Sequence, residues 1–251
     1  GIIGTKSHHA KQPDEKYKVP SYRDLYIDLG LRTASEVLTS GIDIGSPIVY
    51  KPSAEIIGDE KIIGTSVDDR AGCAVLLEVA RQINSRTAGP EINIVFTVQE
   101  EFNLRGALPV AQKIKPEIAI QIDLLLASDT PDMRDFGEIK LGEGPGISVF
   151  SFHGRGTLNG VIPHPVLVKH FEQAASKENI NLQKSAHIGA LTDLSYVQLV
   201  EDGVASLDVG FPIRYSHTAQ EMCDLKDLVG LTKLLTSALN SIPKDINLIR
   251  D

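Results

Sequence analysis

Asp68 in V-D-D-R-A-G, Glu100 and Glu101 in F-T-V-Q-E-E, Asp123 in A-I-Q-I-D and His217 in R-Y-S-H-T are the residues whose types could do chemistry together. Three carboxylates and an imidazole are the ligand types that hold a pair of divalent ions, and one further carboxylate beside them can manage a proton. The set has the make-up of most of a two-metal hydrolase site.

The elements that must position these residues follow from periodicity. Residues 1–62 are rich in Gly, Pro and short β-branched pieces, such as 24–29, 46–51 and 55–58, with a helical pattern only at 33–39. They read as a small, mainly β module. From residue 62 the chain alternates. An apolar-faced helix is expected from Ala71 to Ile83, a fully apolar strand over 92–98, a helix over 104–114, and strands at 118–122 and 147–152. A helix over 164–179, a strand at 182–187, a helix over 193–199, a strand at 204–209 and a closing helix over 225–239 complete the series. Strands alternating with crossover helices predict an α/β fold: a mostly parallel sheet with helices on both faces, over 63–251, after the β module. In this reading all five residues fall at carboxyl ends of strands, the edge where an open parallel sheet binds ligands.

Each residue alone has a plainer explanation. Asp69 stands just before a helix, where a carboxylate caps backbone N–H groups, and capping is its first reading. Adjacent glutamates at a strand end are usually a solvated edge, although a strand buried on both faces would draw at least one inward. Asp123 among apolar neighbours would cost several kcal/mol or would have to neutralise, a cost that a cation removes. His217 alone reads as a loop histidine. Joint placement favours the site. His187, before G-A-L-T-D, is the second metal candidate; His8 and His9 read as surface or subunit-contact residues, and packing or capping explains His153, His164 and His170. Arg105 and Arg214 lie near the right loops to select acidic substrates, or to pair with a carboxylate.

Composition narrows the class. With 251 residues, 42% hydrophobic and 23% charged, the chain can bury one substantial core and carry a smaller second module. Thirty-three acids against 25 bases give a formal charge of -8, which argues against nucleic-acid and anionic-membrane partners. Cys73 and Cys223 suit neither a disulfide framework nor a thiolate zinc site, and both read as small core residues. No apolar run reaches the roughly 18 to 20 residues of a spanning helix, and no basic-then-apolar signal opens the chain, so a cytoplasmic location is expected. The opening on Gly1, directly into an apparent strand, leads us to expect a chain that starts inside a longer protein.

The segments G-I-I-G-T-K-S-H-H, V-D-D-R-A-G, F-T-V-Q-E-E-F-N-L-R-G-A, A-S-D-T-P-D at 127–132, V-I-P-H-P and R-Y-S-H-T resemble the M42 metallo-aminopeptidases, which include glutamyl and tetrahedral aminopeptidases. The resemblance runs from Gly1 to about Leu239 and implies a zinc-exopeptidase-like catalytic domain. It implies that residues 1–62 are part of the family's PDZ-like β dimerisation module, and that the chain forms homo-oligomers, from dimers to dodecamers. It further implies an aminopeptidase acting on peptides with two divalent ions, zinc, cobalt or manganese. Asp68 would bridge the ions, Glu101 and His217 would bind one, Asp123 the other, and Glu100 would be the general base.

The family's earlier H-x-D motif has no counterpart here, so four of five expected ligands are present and the amino-terminal part of the catalytic domain is expected to be missing. Residues 189–194 read G-A-L-T-D-L where the family has a glycine-richer segment, which alters the expected substrate pocket. A catalytically silent assembly or binding subunit of the same fold is the alternative, and a glycoside hydrolase using Glu100 and Asp123 ranks last.

Overall fold

The computed structural model describes residues 1–83, 89–153 and 160–249. They belong to two units, Gly1–Val49 and Tyr50–Asp251, so the division falls before residue 62. In the first unit β1 (Ile2–Gly4) pairs antiparallel with β2 (Tyr26–Asp28). Helix α1 (Ala34–Thr39) opens with a capping box: the Thr33 hydroxyl accepts from the Glu36 N–H, and the Glu36 carboxylate accepts from the Thr33 N–H. The expected β piece at 46–51 is irregular.

In the second unit β3 (Ala54–Ile57) and β4 (Lys61–Gly64) form a hairpin, and β4 also pairs antiparallel with β10 (Glu221–Asp224). That pairing with the far end of the chain places residues 54–64 in the second unit. The larger sheet has the order β5 (Ile118–Leu126), β9 (Ala205–Ile213), β6 (Gly146–Phe152), β7 (Gly160–Val161), and β8 (Gln183–Ile188) pairs with the other edge of β6. β5 and β9 run parallel, as do β6 and β8, whereas β6 is antiparallel to both β9 and β7. The α/β expectation holds, with a mixed sheet.

Helices cover the sheet in two groups. α2 (Val67–Ile83), α4 (Pro165–Lys177) and α6 (Leu225–Ser241) share the main core with β5, β6 and β9. Val75 and Val79 of α2, Leu167 and Phe171 of α4, and Leu231, Leu234 and Leu235 of α6 recur at helical spacing and are buried there. α3 (Ala107–Ile114) and α5 (Leu194–Val197) form a second, smaller cluster through Ala107, Ala111, Leu194 and Val197. Two histidines serve this architecture, as packing and capping predict. His164 caps α4 by accepting from the Val166 N–H, and His170 Nε2 lies 2.9 Å from the Ala238 carbonyl on α6.

Three sequence expectations need correction. Segment 92–98 is irregular, and Phe96 and Val98 are exposed. A β-branched run becomes a strand only where a neighbouring edge accepts its backbone groups, and none of the described strands pairs with it. Asp123 lies inside β5, which continues to Leu126, because Leu124, Leu125 and Leu126 pair with Phe211, Pro212 and Ile213. Cys73 is exposed, on the side of α2 away from Val75 and Val79, and only Cys223 is a core residue.

The backbone around Asp123 is set by glycine. Gly210 of β9 stands opposite Asp123 on one side and Gly146 on the other. A Cβ on Gly210 would lie 2.0 Å from the Asp123 carbonyl oxygen, which a paired strand cannot move aside. Gly210→Ala is therefore expected to destabilise the fold by about 1–3 kcal/mol. Urea unfolding checks this through a lower midpoint at unchanged slope; an unmoved midpoint would mean that β5 and β9 part at no cost.

Candidate metal centre

Asp68 and Asp69 sit where β4 gives way to α2, and both have non-helical backbone angles. Asp69 does what its position predicts: its Oδ1 accepts from the Gly72 N–H at 3.0 Å. Gly72 leaves room for this contact, since a Cβ would come within 2.3 Å of the Asp69 carboxylate and displace it. With Asp69 turned to the helix, Asp68 turns the other way, and its side chain is 6% exposed.

Glu100 and Glu101 occupy a turn closed by two hydrogen bonds, from the Leu104 N–H to the Glu100 carbonyl and from the Arg105 N–H to the Gln99 carbonyl. Gly106 lets this turn fold back, because a Cβ at that position would meet the Val98 carbonyl oxygen at 2.3 Å. His217 follows β9 in the turn that leads to β10. The backbone is left-handed at Ser66, Gln99, Tyr215 and His217, with φ of 53°, 58°, 62° and 60°. Such angles are disfavoured for residues with a side chain and tend to cluster at functional sites.

The three segments converge. His217 Nε2 stands 3.2 Å from Asp68 Oδ2 and 3.3 Å from Glu101 Oε2. One ligand atom from each of Asp68, Glu101 and His217 lies within 4.8 Å of the others. His217 and Glu101 open to solvent on one side, with side chains 69% and 57% exposed. Asp123 does not join this trio, but it is close enough to Asp68, Asp69 and Glu100 for their charges to act on it. His187 instead bonds to Ser185, 2.9 Å from its Oγ, and burial lowers its pKa.

Two further residues belong here: Glu221, which no motif marks, and Asp193, whose position before a helix reads as a cap but whose side chain makes no cap hydrogen bond. Glu221, 3% exposed on β10, accepts from the Asp68 N–H through Oε2 at 2.9 Å and from the His217 N–H through Oε1 at 2.8 Å. In Q-E-M-C-D it looks like a solvated turn residue; only the β4–β10 pairing turns it inward. Asp193, 1% exposed, has no hydrogen bond of ordinary geometry on either oxygen. Burial raises its pKa, the nearby Thr97 hydroxyl lowers it in part, and its charge acts on Glu100. Arg214 is committed elsewhere, in a two-pronged pair with Asp129 at 2.8 and 2.7 Å, and Arg105 lies over the Phe102 ring. Two clefts of about 530 and 650 Å³ are lined by other residues, Pro145 and Lys233 in one, Asp129 and Gln183 in the other.

Electrostatically the site is a knot of like charge. Burial raises the pKa of Asp68 to about 7, assisted by the charges of Glu101 and Glu221 and opposed by His217. Asp69 rises to about 8 through burial and the Asp68 charge, and Glu100 to about 7 through burial and Glu101, Asp193 and Asp68. Asp123 is displaced well upward, first by burial and then by Asp69 and Asp68. Carboxylates that repel one another in a partly dry site, with an imidazole among them, are the donor set that a divalent cation fits.

The metal-free protein should show this in its stability. These groups bind protons more tightly folded than unfolded, so between about pH 4 and about pH 8 the native state carries the extra protons. Stability is then highest at the acid end of that window and falls as pH rises through it. Asp129, held low by Arg214 and the Leu141 N–H against its burial, is shifted the opposite way and does not share in the trend. Thermal unfolding of chelator-treated protein is expected to show a lower midpoint at pH 8 than at pH 5, with added Zn²⁺ or Co²⁺ restoring it. Equal midpoints would mean that the carboxylates are not packed together.

Known proteins match this fold over most of its length. SgcX of Escherichia coli (strain K12) is 37% identical over 237 residues, 94% of this chain and 64% of that protein. A TET aminopeptidase from Thaumarchaeota archaeon SCGC AB-539-E09 superposes with a TM-score of 0.87 at 29% identity, covering 98% of this chain and 67% of that one. The TET1 peptidase of Pyrococcus horikoshii, which can assemble into a tetrahedron or a large octahedral shell, superposes with a TM-score of 0.79 at 27% identity over 95% and 67%. The chain thus spans about two thirds of the length of these proteins. The profile of the M42 glutamyl aminopeptidases matches residues 1–234, and the chain belongs to that family.

Proposed function

We propose that this chain carries the site of a binuclear metal-dependent aminopeptidase that removes residues from the amino ends of peptides. The observation that carries the proposal is the convergence of Asp68, Glu101 and His217, with Glu100 beside them. Asp68, Glu101 and His217 would hold one ion, and Asp68 with Asp123 would face the second. Zinc, cobalt and manganese all suit carboxylate and imidazole donors. Bound there, the ions would supply Lewis acidity toward the scissile carbonyl and make water a better nucleophile near neutral pH.

The side chains supply the rest. Glu100 is next to a ligand without being needed as one, and its pKa of about 7 suits a group that takes a proton from the attacking water and returns it to the leaving amine. Asp69, fixed by the Gly72 N–H, holds its carboxyl near Asp68 and Asp123 without entering the trio, and with its pKa raised to about 8 it carries a proton until a cation binds. Likeness to TET1 supports assembly with further copies through the first unit, for which a mass in solution well above 27.2 kDa is the measure. Among the described residues no helix is long and apolar enough to cross a membrane. Both cysteines are free, which suits the reducing cytoplasm we propose for the protein.

Metal content by mass spectrometry, together with hydrolysis of an aminoacyl p-nitroanilide, tests the reading. Asp68→Ala is expected to lose bound metal and activity together. Glu100→Gln is expected to keep the metal and to lose about 10²–10⁴-fold in rate. A folded chain that takes up no metal after zinc or cobalt loading would overturn the enzymatic reading, and metal uptake without hydrolysis would favour the silent assembly subunit.

A further inference from the structure

We propose that Glu221 is a positioning residue that sets the spacing of Asp68 and His217 and so tunes the site for one divalent ion; this rests on the metal-binding reading above. The two side chains come from opposite ends of the second unit. Asp68 lies in the irregular start of α2 and His217 in a turn with φ of 60°, so neither is held by a helix or strand ladder. What joins them is one carboxylate: Glu221 Oε2 accepts from the Asp68 N–H and Oε1 from the His217 N–H, at 2.9 and 2.8 Å. Each oxygen serves one amide, so the width of the carboxylate fixes the separation of the two backbones.

The strand that carries Glu221 is itself fixed. β10 is registered on β4 with Glu221 opposite Gly64, and β4 leads directly to Asp68. At 3% exposure Glu221 has little water to turn to, and among the described residues its ion-pair partners include no lysine or arginine. Hydrogen bonds from amides to a buried carboxylate are charge-assisted and stiff, and residues that orient ligands in this way strongly affect metal affinity.

Glutamine has nearly the same shape but only one acceptor oxygen, so in Glu221→Gln one of the two amides would face an NH₂ donor. Asp227 is the matched control. It is a buried carboxylate that accepts from the Gly142 and Gly144 N–H groups at 2.8 and 2.7 Å, and it touches none of the proposed ligands.

The experiment is a Co²⁺ titration of the whole chain, followed by visible absorption and calorimetry, on the wild type, Glu221→Gln and Asp227→Asn. Circular dichroism establishes that each is folded. For Glu221→Gln we expect Co²⁺ affinity weaker by about 10- to 100-fold and a changed d–d spectrum, with Asp227→Asn like the wild type in both. Wild-type affinity and spectrum in folded Glu221→Gln, or equal changes in Asp227→Asn, overturn the inference. A wild type that binds no Co²⁺ would instead remove the metal-binding reading, and this inference with it. If Glu221→Gln does not fold, amide hydrogen exchange on the wild type decides: protected Asp68 and His217 N–H groups support the clamp, and free exchange at either overturns it.

Discussion

The site depends on a repulsion. Asp68, Asp69, Glu100 and Asp123 are gathered by three separate segments into a space where burial already disfavours charge, and each makes its neighbours harder to ionise. An arrangement of this kind must be imposed from outside, since the groups would separate if the backbone allowed it. The core formed by α2, α4, α6 and the central strands imposes it, and a cation or bound protons relieve it.

The imposition works through backbone rather than through side-chain pairing. Asp123 is locked by nine consecutive parallel pairings of β5 with β9, and by a glycine opposite it that admits no Cβ. Asp69 is fixed to the Gly72 N–H, and the glutamate turn is closed by its own amides and by Gly106. Arg214, the cation of the β9–β10 connection, is drawn off by Asp129 and cannot neutralise the cluster. The Asp129 pair thus keeps the Arg214 guanidinium away from the carboxylates.

How much of this was legible depended on the range of the interaction. The stripe of Val75 and Val79, the run from Ile118 to Ile122, the cap at Asp69 and the helix after His164 are local, and period or capping chemistry reveals them. Asp68, Glu101 and His217 could be proposed together because motif and strand-end placement both marked them. What escaped depended on distant partners. An apolar run such as 92–98 carries no sign of whether an edge will pair with it, and β4 joins the second unit only because β10, over 150 positions later, lies beside it. Glu221 was invisible for the same reason: nothing in its local sequence marks it, and its partners in space are the amides of Asp68 and His217.

Charge balance argues for an uneven pair of sites in the proposed binuclear reading. One divalent ion among Asp68, Glu101 and a neutral imidazole is balanced by those two carboxylates alone, and the three donors already lie close together. Asp69, Glu100 and Asp123 then remain as surplus negative charge beside that ion. The field of such an ion would lower their proton affinity, so the protons that stabilise the metal-free cluster would leave on metal binding. What is left is a second acidic patch, centred on Asp123, with fewer donors near at hand but more negative charge than it had before the protons left. In that reading a first ion would prepare the second site electrostatically even as it would repel a second one, and the balance would be set by how far Asp123 stands from Asp68, a distance governed by β5, β9 and the start of α2.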